Sequence, residues 1–403
     1  LATAVGGHAE PLTRESAVEL ALQHNPEIRA AQAHWNAAQA RAGASWAPPD
    51  PEVGVEFGQL QRLGDPGDFG ERSIDLSQTI ESPVKWWLNH NAAGYEAESS
   101  RAGVFDLTRL DVASRVSVAF DRILSWQQKV AYEVAQDSLL RQFADKARLR
   151  HEAGDVPSLE VLRAEVESGR AASRVAWAQN ELSSAMAHLA ALTGQESLSR
   201  WQLRGTLAPD EFHLSLEDVR ELGLERRPDL RGAAHDLKSR RARRGAARAG
   251  LLPDLNVVVS RQTLREGTTK DDLWRFGVSL EVPIWGALRQ RGELAQARAV
   301  VSAGEAEVER LRTEVLLQVE TAYRDLMTAA DQVTLFDERI LREAAEAQQA
   351  ATLSYEAGKA TYLDVLDTQR TLLQAQTEYA DIVLGYREAR VALERAAGGR
   401  LEK

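Results

Sequence analysis

The feature that most constrains this chain is that it reads twice. Leu12, Thr13, Arg14 and Glu15, then Leu20, Leu22 and Asn25-Pro26-Glu27-Ile28, match Leu214, Ser215, Leu216 and Glu217, then Leu222, Leu224 and Arg227-Pro228-Asp229-Leu230. Pro26 and Pro228 stand 202 positions apart, and the same offset carries Pro51-Glu52-Val53-Gly54-Val55 onto Pro253-Asp254-Leu255-Asn256-Val257. Farther on, Glu152-Ala153-Gly154 with Leu159-Glu160-Val161-Leu162 matches Glu356-Ala357-Gly358 with Leu363-Asp364-Val365-Leu366, now at an offset of 204. Three separated blocks in one order at nearly one spacing indicate a tandem duplication. The first repeat is 1–194 and the second 214–403, with a linker at 195–213 bounded or broken by Gly194, Gly205 and Pro209.

Each half predicts the same elements. A short amphipathic helix (13–24; 215–226) stops before an X-Pro step, because the residue before proline is pushed out of the helical region. A second helix follows (27–46; 229–249), then two short alternating segments, then a long helix (84–150; 287–354). A turn at Gly154 or Gly358 leads to a last helix (158–193; 361–397). Val112, Val116, Ala119, Ile123, Trp126 and Val130 step by three and four, as do Val308, Leu311, Val315, Val319, Ala322 and Leu326. That spacing is the seam of helices packed side by side. At 1.5 Å per residue the long helix predicts a rod of about 100 Å, which suits a tunnel or a scaffold rather than a compact domain.

The alternating segments predict strand pairs at about 51–61 with 72–82, and 253–263 with 273–284. Val53, Val55 and Phe57 alternate with Glu52, Gly54, Glu56 and Gly58; Phe276, Val278, Leu280 and Val282 alternate with Arg275, Gly277, Ser279 and Glu281. Period-two alternation puts one set on each face of a strand. Each segment has roughly the length that a tilted strand needs to cross a bilayer. Trp86, Trp87 and Trp285 fall just beyond strand ends and Trp274 near the other end of its strand, as in an aromatic girdle at a lipid interface. Four strands cannot close a barrel, and an open edge in lipid strands backbone polar groups at several kcal/mol each. Strands in a membrane therefore require several copies sharing one barrel, with the polar faces around a wet lumen.

Composition narrows the function classes. A net charge of -11 argues against nucleic acid as partner. The absence of Cys excludes disulfides, thiolate metal sites and Cys nucleophiles. There is no run of about 18 apolar residues for a transmembrane helix, which says nothing against barrel strands. No G-x-S-x-G, phosphate-binding loop or dinucleotide fingerprint is present, so no enzyme and no cofactor is expected. The eight histidines form no H-x-x-x-H pair and only two Met are present, so no tight metal site is expected. The basic run from Arg226 to Arg248 reads as a solvated helix face, with contact to anionic inner-leaflet head groups as a lesser reading. Leu1-Ala2-Thr3-Ala4 fits the small-residue pattern left by a cleaved signal peptide, so the chain reads as mature or trimmed.

The stretch Tyr355-Glu356-Ala357-Gly358-Lys359-Ala360-Thr361-Tyr362-Leu363-Asp364-Val365-Leu366-Asp367, followed by Gln369-Arg370 and Leu372-Leu373-Gln374-Ala375-Gln376, resembles the TolC-type outer-membrane efflux channels. The duplication, the strand pairs and the Asn25-Pro26-Glu27 step fit the same family. The resemblance implies a mainly α fold with a small transmembrane β part. A homotrimer would share a barrel of about 12 strands in the outer membrane, continued by a long α-helical barrel into the periplasm. Its implied partners are a periplasmic membrane-fusion adaptor and an inner-membrane pump, most naturally of the RND type. The run Pro48-Pro49-Asp50-Pro51-Glu52 is closer to the heavy-metal-cation branch than to the drug-exporting branch.

The resemblance also implies a constricted periplasmic tip at the turns between the long and last helices. Asp364, Asp367 and Glu160 would ring its entrance; Gly154 and Gly358 would be the turn glycines; Tyr355 would hold the gate closed. Ala360 stands where that family places an arginine gate partner, with Lys359 beside it, so opening would lean more on adaptor contact. A ring of carboxylates favours cations and raises its own pKa values; the competing reading makes Asp364 and Asp367 exposed helix-start carboxylates favoured by the helix dipole. Two functions from different classes follow: a passive outer-membrane conduit driven by its pump, or a soluble periplasmic coiled-coil scaffold or adaptor. Outward apolar strand rows distinguish them, because a scaffold has no use for such rows.

Overall fold

The computed structural model describes residues 10–58, 70–199, 201–210, 212–266, 269–281, 286–357 and 359–401. The first half runs β1 (Glu10–Leu12), α1 (Arg14–His24), α2 (Pro26–Ala44), β2 (Glu52–Gly58), β3 (Glu71–Ile80), α3 (Pro83–Ser100), α4 (Leu107–Glu152) and α5 (Ser158–Leu192). Then come β4 (Trp201–Leu203), α6 (Leu216–Arg226), α7 (Pro228–Ala249), β5 (Asp254–Glu266), β6 (Thr269–Glu281), α8 (Gly286–Leu335), α9 (Leu341–Glu356) and α10 (Tyr362–Ala396). The chain is mainly helical. Among the described residues no helix is long and apolar enough to cross a membrane. α3 passes into α4 through a π turn at Arg101–Asp106, and α8 into α9 through one at Phe336–Ile340.

Local chemistry sets the helix starts. Thr13, Ser215 and Thr361 each accept from the third backbone N–H of their helix, while the side chain at that position answers back to the cap. Asn25 does a longer-range job. Its Oδ1 accepts from the Glu27 N–H at 2.8 Å to start α2, and its buried amide donates to the Leu192 carbonyl, 2.8 Å away at the end of α5. Its counterpart, Arg227, is also buried but reaches Gln318 on α8 instead, at 2.8 Å.

The chain divides into two compact units, and each draws on both sequence halves. One holds 1–31, 106–227 and 313–403; the other holds 32–105 and 228–312. In the first, α1 packs on α4, α4 on α5 and α10, and β1 pairs in parallel with β4, a short sheet that the apolar pattern did not announce. Its cores are made of the seam residues: Val315, Val319 and Leu326 meet Val383, Tyr386 and Leu393. Arg14 of α1 reaches the buried Asp121 of α4 at 3.5 Å. Burial pushes the Asp121 carboxyl above its ordinary range, against the pull of Arg14 and Arg387.

The second unit is an antiparallel sheet in the order β2-β3-β5-β6, with α3 packed on α7. The helix pair meets backbone to backbone. A Cβ on Gly232 would lie 2.7 Å from the Cα and N of Gly103, closer than real atoms approach. β5 and β6 form a longer hairpin than the sequence predicts: 13 residues each, paired from Asp254–Glu281 out to Glu266–Thr269. The predicted strand bounds fall short of this outer part because the apolar alternation stops there. There the ladder continues on polar pairs: Thr263 donates to Asp272 at 2.7 Å, Arg261 to Asp272 at 2.8 Å and Arg275 to Gln262 at 2.8 Å.

Candidate functional site

The candidate residues gather in two regions. The first is the turn region joining α4 to α5 and α9 to α10. Gly154 ends α4 with φ +83, a left-handed conformation that a side chain resists. Its N–H donates back to the His151 carbonyl at 2.9 Å, and Asp155 N–H to the Arg150 carbonyl at 2.9 Å. His151 folds onto the same turn, its Nδ1 2.8 Å from the Val156 carbonyl. Gly358, assigned the matching role, lies outside the described residues.

Beneath these turns is a small core of Leu140, Phe143, Ala144, Ala147, Ala164, Ala171, Tyr362, Val365 and Leu366. Tyr355 lies half-buried on it, edge-on to Phe143 at 6.4 Å and beside Tyr362 at 6.3 Å. The Tyr355 hydroxyl accepts from the Arg150 guanidinium at 2.8 Å and donates to Glu160 at 3.4 Å. The Arg150 guanidinium also sits over the Tyr355 ring, 5.7 Å from its centroid. Tyr355 therefore does meet an arginine, although Ala360 removed the expected one. Burial raises the Tyr355 pKa, with Arg150 opposing. Burial among Glu167 and Glu160 pushes Tyr362 up to about 12.

A second tie crosses from α5 to α10. Glu167, almost buried, accepts from Arg370 at 2.5 Å and from Arg170 at 3.0 Å. Burial alone would raise the Glu167 carboxyl, but the two guanidiniums outweigh it and hold it below the usual carboxylate range.

The three expected entrance carboxylates have different surroundings. Glu160 faces Tyr355. Asp364 is exposed and caps α10, accepting from the Thr361 N–H at 2.8 Å and its hydroxyl at 2.7 Å, which lowers its pKa rather than raising it. Asp367 is exposed and lines a cleft of about 610 Å³ with Leu162, Val166, Leu363 and Arg370. Within one chain these acids make no ring. Arg150 and Glu167 were missed by sequence reasoning, since neither stands out in a chain so rich in charge; Arg370 was visible only as part of the family motif.

The second region is the sheet. Cross-strand register lines up Val53, Leu76, Val259 and Phe276 in one row and Val55, Ile74, Arg261 and Trp274 two residues farther out. This face lies open: Val53, Trp274 and Phe276 are each at least 70% exposed. The opposite face carries Glu52, Glu56, Glu71, Asp75, Asp254, Asp271 and Glu281 against one strand cation, Arg275. Asp254 is partly offset by Lys85 at 3.2 Å. At the helix end of the sheet, Trp87 is exposed while Trp86 is half-buried edge-on to Trp46 at 4.7 Å, a tryptophan that sequence reasoning passed over. Trp285 lies outside the described residues.

A sheet with one exposed apolar face and one acidic face fits an outer-membrane channel protein. The family description of the outer membrane efflux protein matches residues 17–195 and again 219–399, and this chain belongs to that family. It is 27% identical over 397 residues to the cobalt-zinc-cadmium resistance protein CzcC of Cupriavidus metallidurans, covering 97% of this chain and 91% of that one. It is 27% identical over 427 residues to the pyoverdine export outer membrane protein OpmQ of Pseudomonas aeruginosa, covering 96% and 85%. Among solved structures, a crystal structure of CusC superposes with a TM-score of 0.78 at 19% identity, over 96% of this chain and 92% of that one. The protein is an outer-membrane efflux channel, which decides against the soluble scaffold.

Proposed function

We propose that three copies join their four-stranded sheets into one closed barrel, with the apolar face in lipid and the acidic face around the lumen, and that the cargo is cationic. Closure follows from the unpaired outer edges of β2 and β6, which lipid does not tolerate. The cation reading rests on one observation: one face of one sheet is rich in carboxylates and nearly free of cations. A charged lining of this kind selects cations in water-filled pores. Likeness to CzcC supports a heavy-metal cargo; likeness to OpmQ keeps larger cargo as the competing reading.

At the other region, Tyr355, Arg150 and Glu160 form a latch, reinforced by the Glu167–Arg370 tie, that holds the α9–α10 turn against the α4–α5 turn. Asp364 and Asp367 place further negative charge at the same entrance. The channel is passive and works in a tripartite assembly with a periplasmic membrane-fusion adaptor and an inner-membrane pump, of the RND type. The exposed Leu162, Val166 and Leu363, which line one cleft, support adaptor contact there, because contiguous exposed apolar side chains mark an interaction surface.

The test is planar-bilayer conductance of the detergent-purified protein. Replacing Glu52, Glu56, Asp75 and Asp271 with their amides lowers the cation-over-anion permeability ratio severalfold if they line the lumen. An unchanged ratio would remove the cation reading. A mass of one chain in detergent would remove the shared barrel.

A further inference from the structure

The outward face of the sheet is asymmetric along its length. At the helix end it carries Ile80, Leu255 and Leu280, then Gln78, Val257 and Val278, with no charge. At the far end the same face carries Arg72, Arg261, Arg265 and Lys270 against one acid, Asp272. The β3–β5 ladder reaches this level, where the Arg265 N–H donates to the Gly70 carbonyl at 2.8 Å. Hence these positions belong to the paired strands rather than to the loops.

Eight residue steps separate Leu280 from Asp272. At about 3.4 Å per step this is about 27 Å along the strand, or about 21 Å of height at a tilt near 40°. An apolar barrel band is about 25 Å tall. The row of Arg72 and Asp272 thus falls at the outer edge of the band, and Arg265 and Lys270 just beyond it. Arg261 starts one pair deeper and snorkels outward: its guanidinium lies 6.0 Å from the Trp274 ring centroid and 2.8 Å from Asp272. An aromatic girdle needs no charge at this level. Four cations share one face at one end, Arg261 already holding Asp272, and such a cluster suits a multiply charged anion. Arginines suit phosphate by planar, bidentate donation.

We propose that this basic rim binds the phosphate groups of the phosphorylated glycolipid that forms the outer leaflet. The inference rests on the barrel reading above and extends it to a lipid partner. Around a closed trimer the rim repeats three times, once per chain, as a belt that fixes the depth of the barrel.

The test is native mass spectrometry of the detergent-purified trimer with bis-phosphorylated lipid A, the dephosphorylated lipid and phosphatidylglycerol as competitors. The expected result is retention of the bis-phosphorylated lipid. Binding becomes about tenfold or more weaker in R72Q/R261Q/R265Q/K270Q, since each surface cation contributes separately to anionic lipid contact. The milder R265Q/K270Q shows a partial loss, and it decides the matter if the fourfold variant does not assemble. R275Q, on the opposite face, leaves lipid retention unchanged. Equal binding of dephosphorylated lipid or phosphatidylglycerol, or equal binding by R265Q/K270Q and the parent, would overturn the inference while leaving the channel reading intact. A protein that is monomeric without detergent would overturn both.

Discussion

Glu160 and Asp364 occupy matching places in the two sequence halves, each in the first turn of a last helix, yet they do different work. Asp364 is held by Thr361, whose hydroxyl and N–H both donate to it. Glu160 has Pro157 in the corresponding place, with no hydroxyl and no N–H to offer, and α5 begins without a side-chain cap. The Glu160 carboxylate is therefore left to accept from Tyr355, 195 positions away. An acid at a helix start is a cap or a long-range latch according to the residue three positions before it. The surroundings of Asp364 fit a helix-start carboxylate, and the proposed latch engages Glu160 instead.

The largest expected effect comes from removing the floor on which both turns rest. Phe143→Ala lowers stability by about 3–5 kcal/mol, the usual cost of deleting a buried aromatic side chain. Thermal unfolding in detergent and amide exchange across 140–170 and 350–370 would register it; protection unchanged in both turns would break the idea of a common floor.

Next is the latch. Arg150→Ala and Tyr355→Phe each remove a charge-assisted hydrogen bond of about 1.5–3 kcal/mol, so open-channel occupancy in bilayers rises about tenfold or more. The double variant gains little over either single one, because both cut the same contact. Two fully additive increments would mean that the residues act apart.

A smaller effect separates the two acids directly. Thr361→Ala costs about 1 kcal/mol at the start of α10 and leaves conductance nearly as it was. Glu160→Gln costs less stability and moves conductance. The exchange Pro157→Thr is expected to draw Glu160 back into a cap on α5 and so to loosen Tyr355. If Pro157→Thr stays as tightly shut as the parent, the contrast drawn between Pro157 and Thr361 is wrong.

The smallest effect is in pH. The Glu167 carboxyl is held low in the folded protein, so its tie to Arg370 stabilises fully above the ordinary Glu value of about 4.3. That stability is lost as pH falls through the lower folded value. Conductance between pH 7 and 5 should therefore be flat on this account, with opening only at greater acidity. Glu167→Gln should show the acid behaviour already at pH 7; a parent that opens between pH 7 and 5 would point to another group.

What could be read along the chain was what neighbouring residues decide. Period-two alternation marked Val53 to Phe57 and Phe276 to Leu280 as strand, the three-four seam marked Val112 to Ile123 as buried, and Asp364 was legible as a helix-start carboxylate. Their physics acts within a few residues. The outer half of the β5–β6 hairpin escaped notice because polar cross-strand pairs hold it and leave no apolar trace. Arg150 beside Tyr355, Glu167 beside Arg370 and Asn25 beside the Leu192 carbonyl escaped for a different reason. Each joins residues more than 160 positions apart, and nothing in a charged side chain's local sequence says which distant partner the folded chain will bring within 3 Å. The sequence alone determined the strands and the helix seams, because those are local. Only the tertiary structure decided which arginine meets the tyrosine, because that choice belongs to packing.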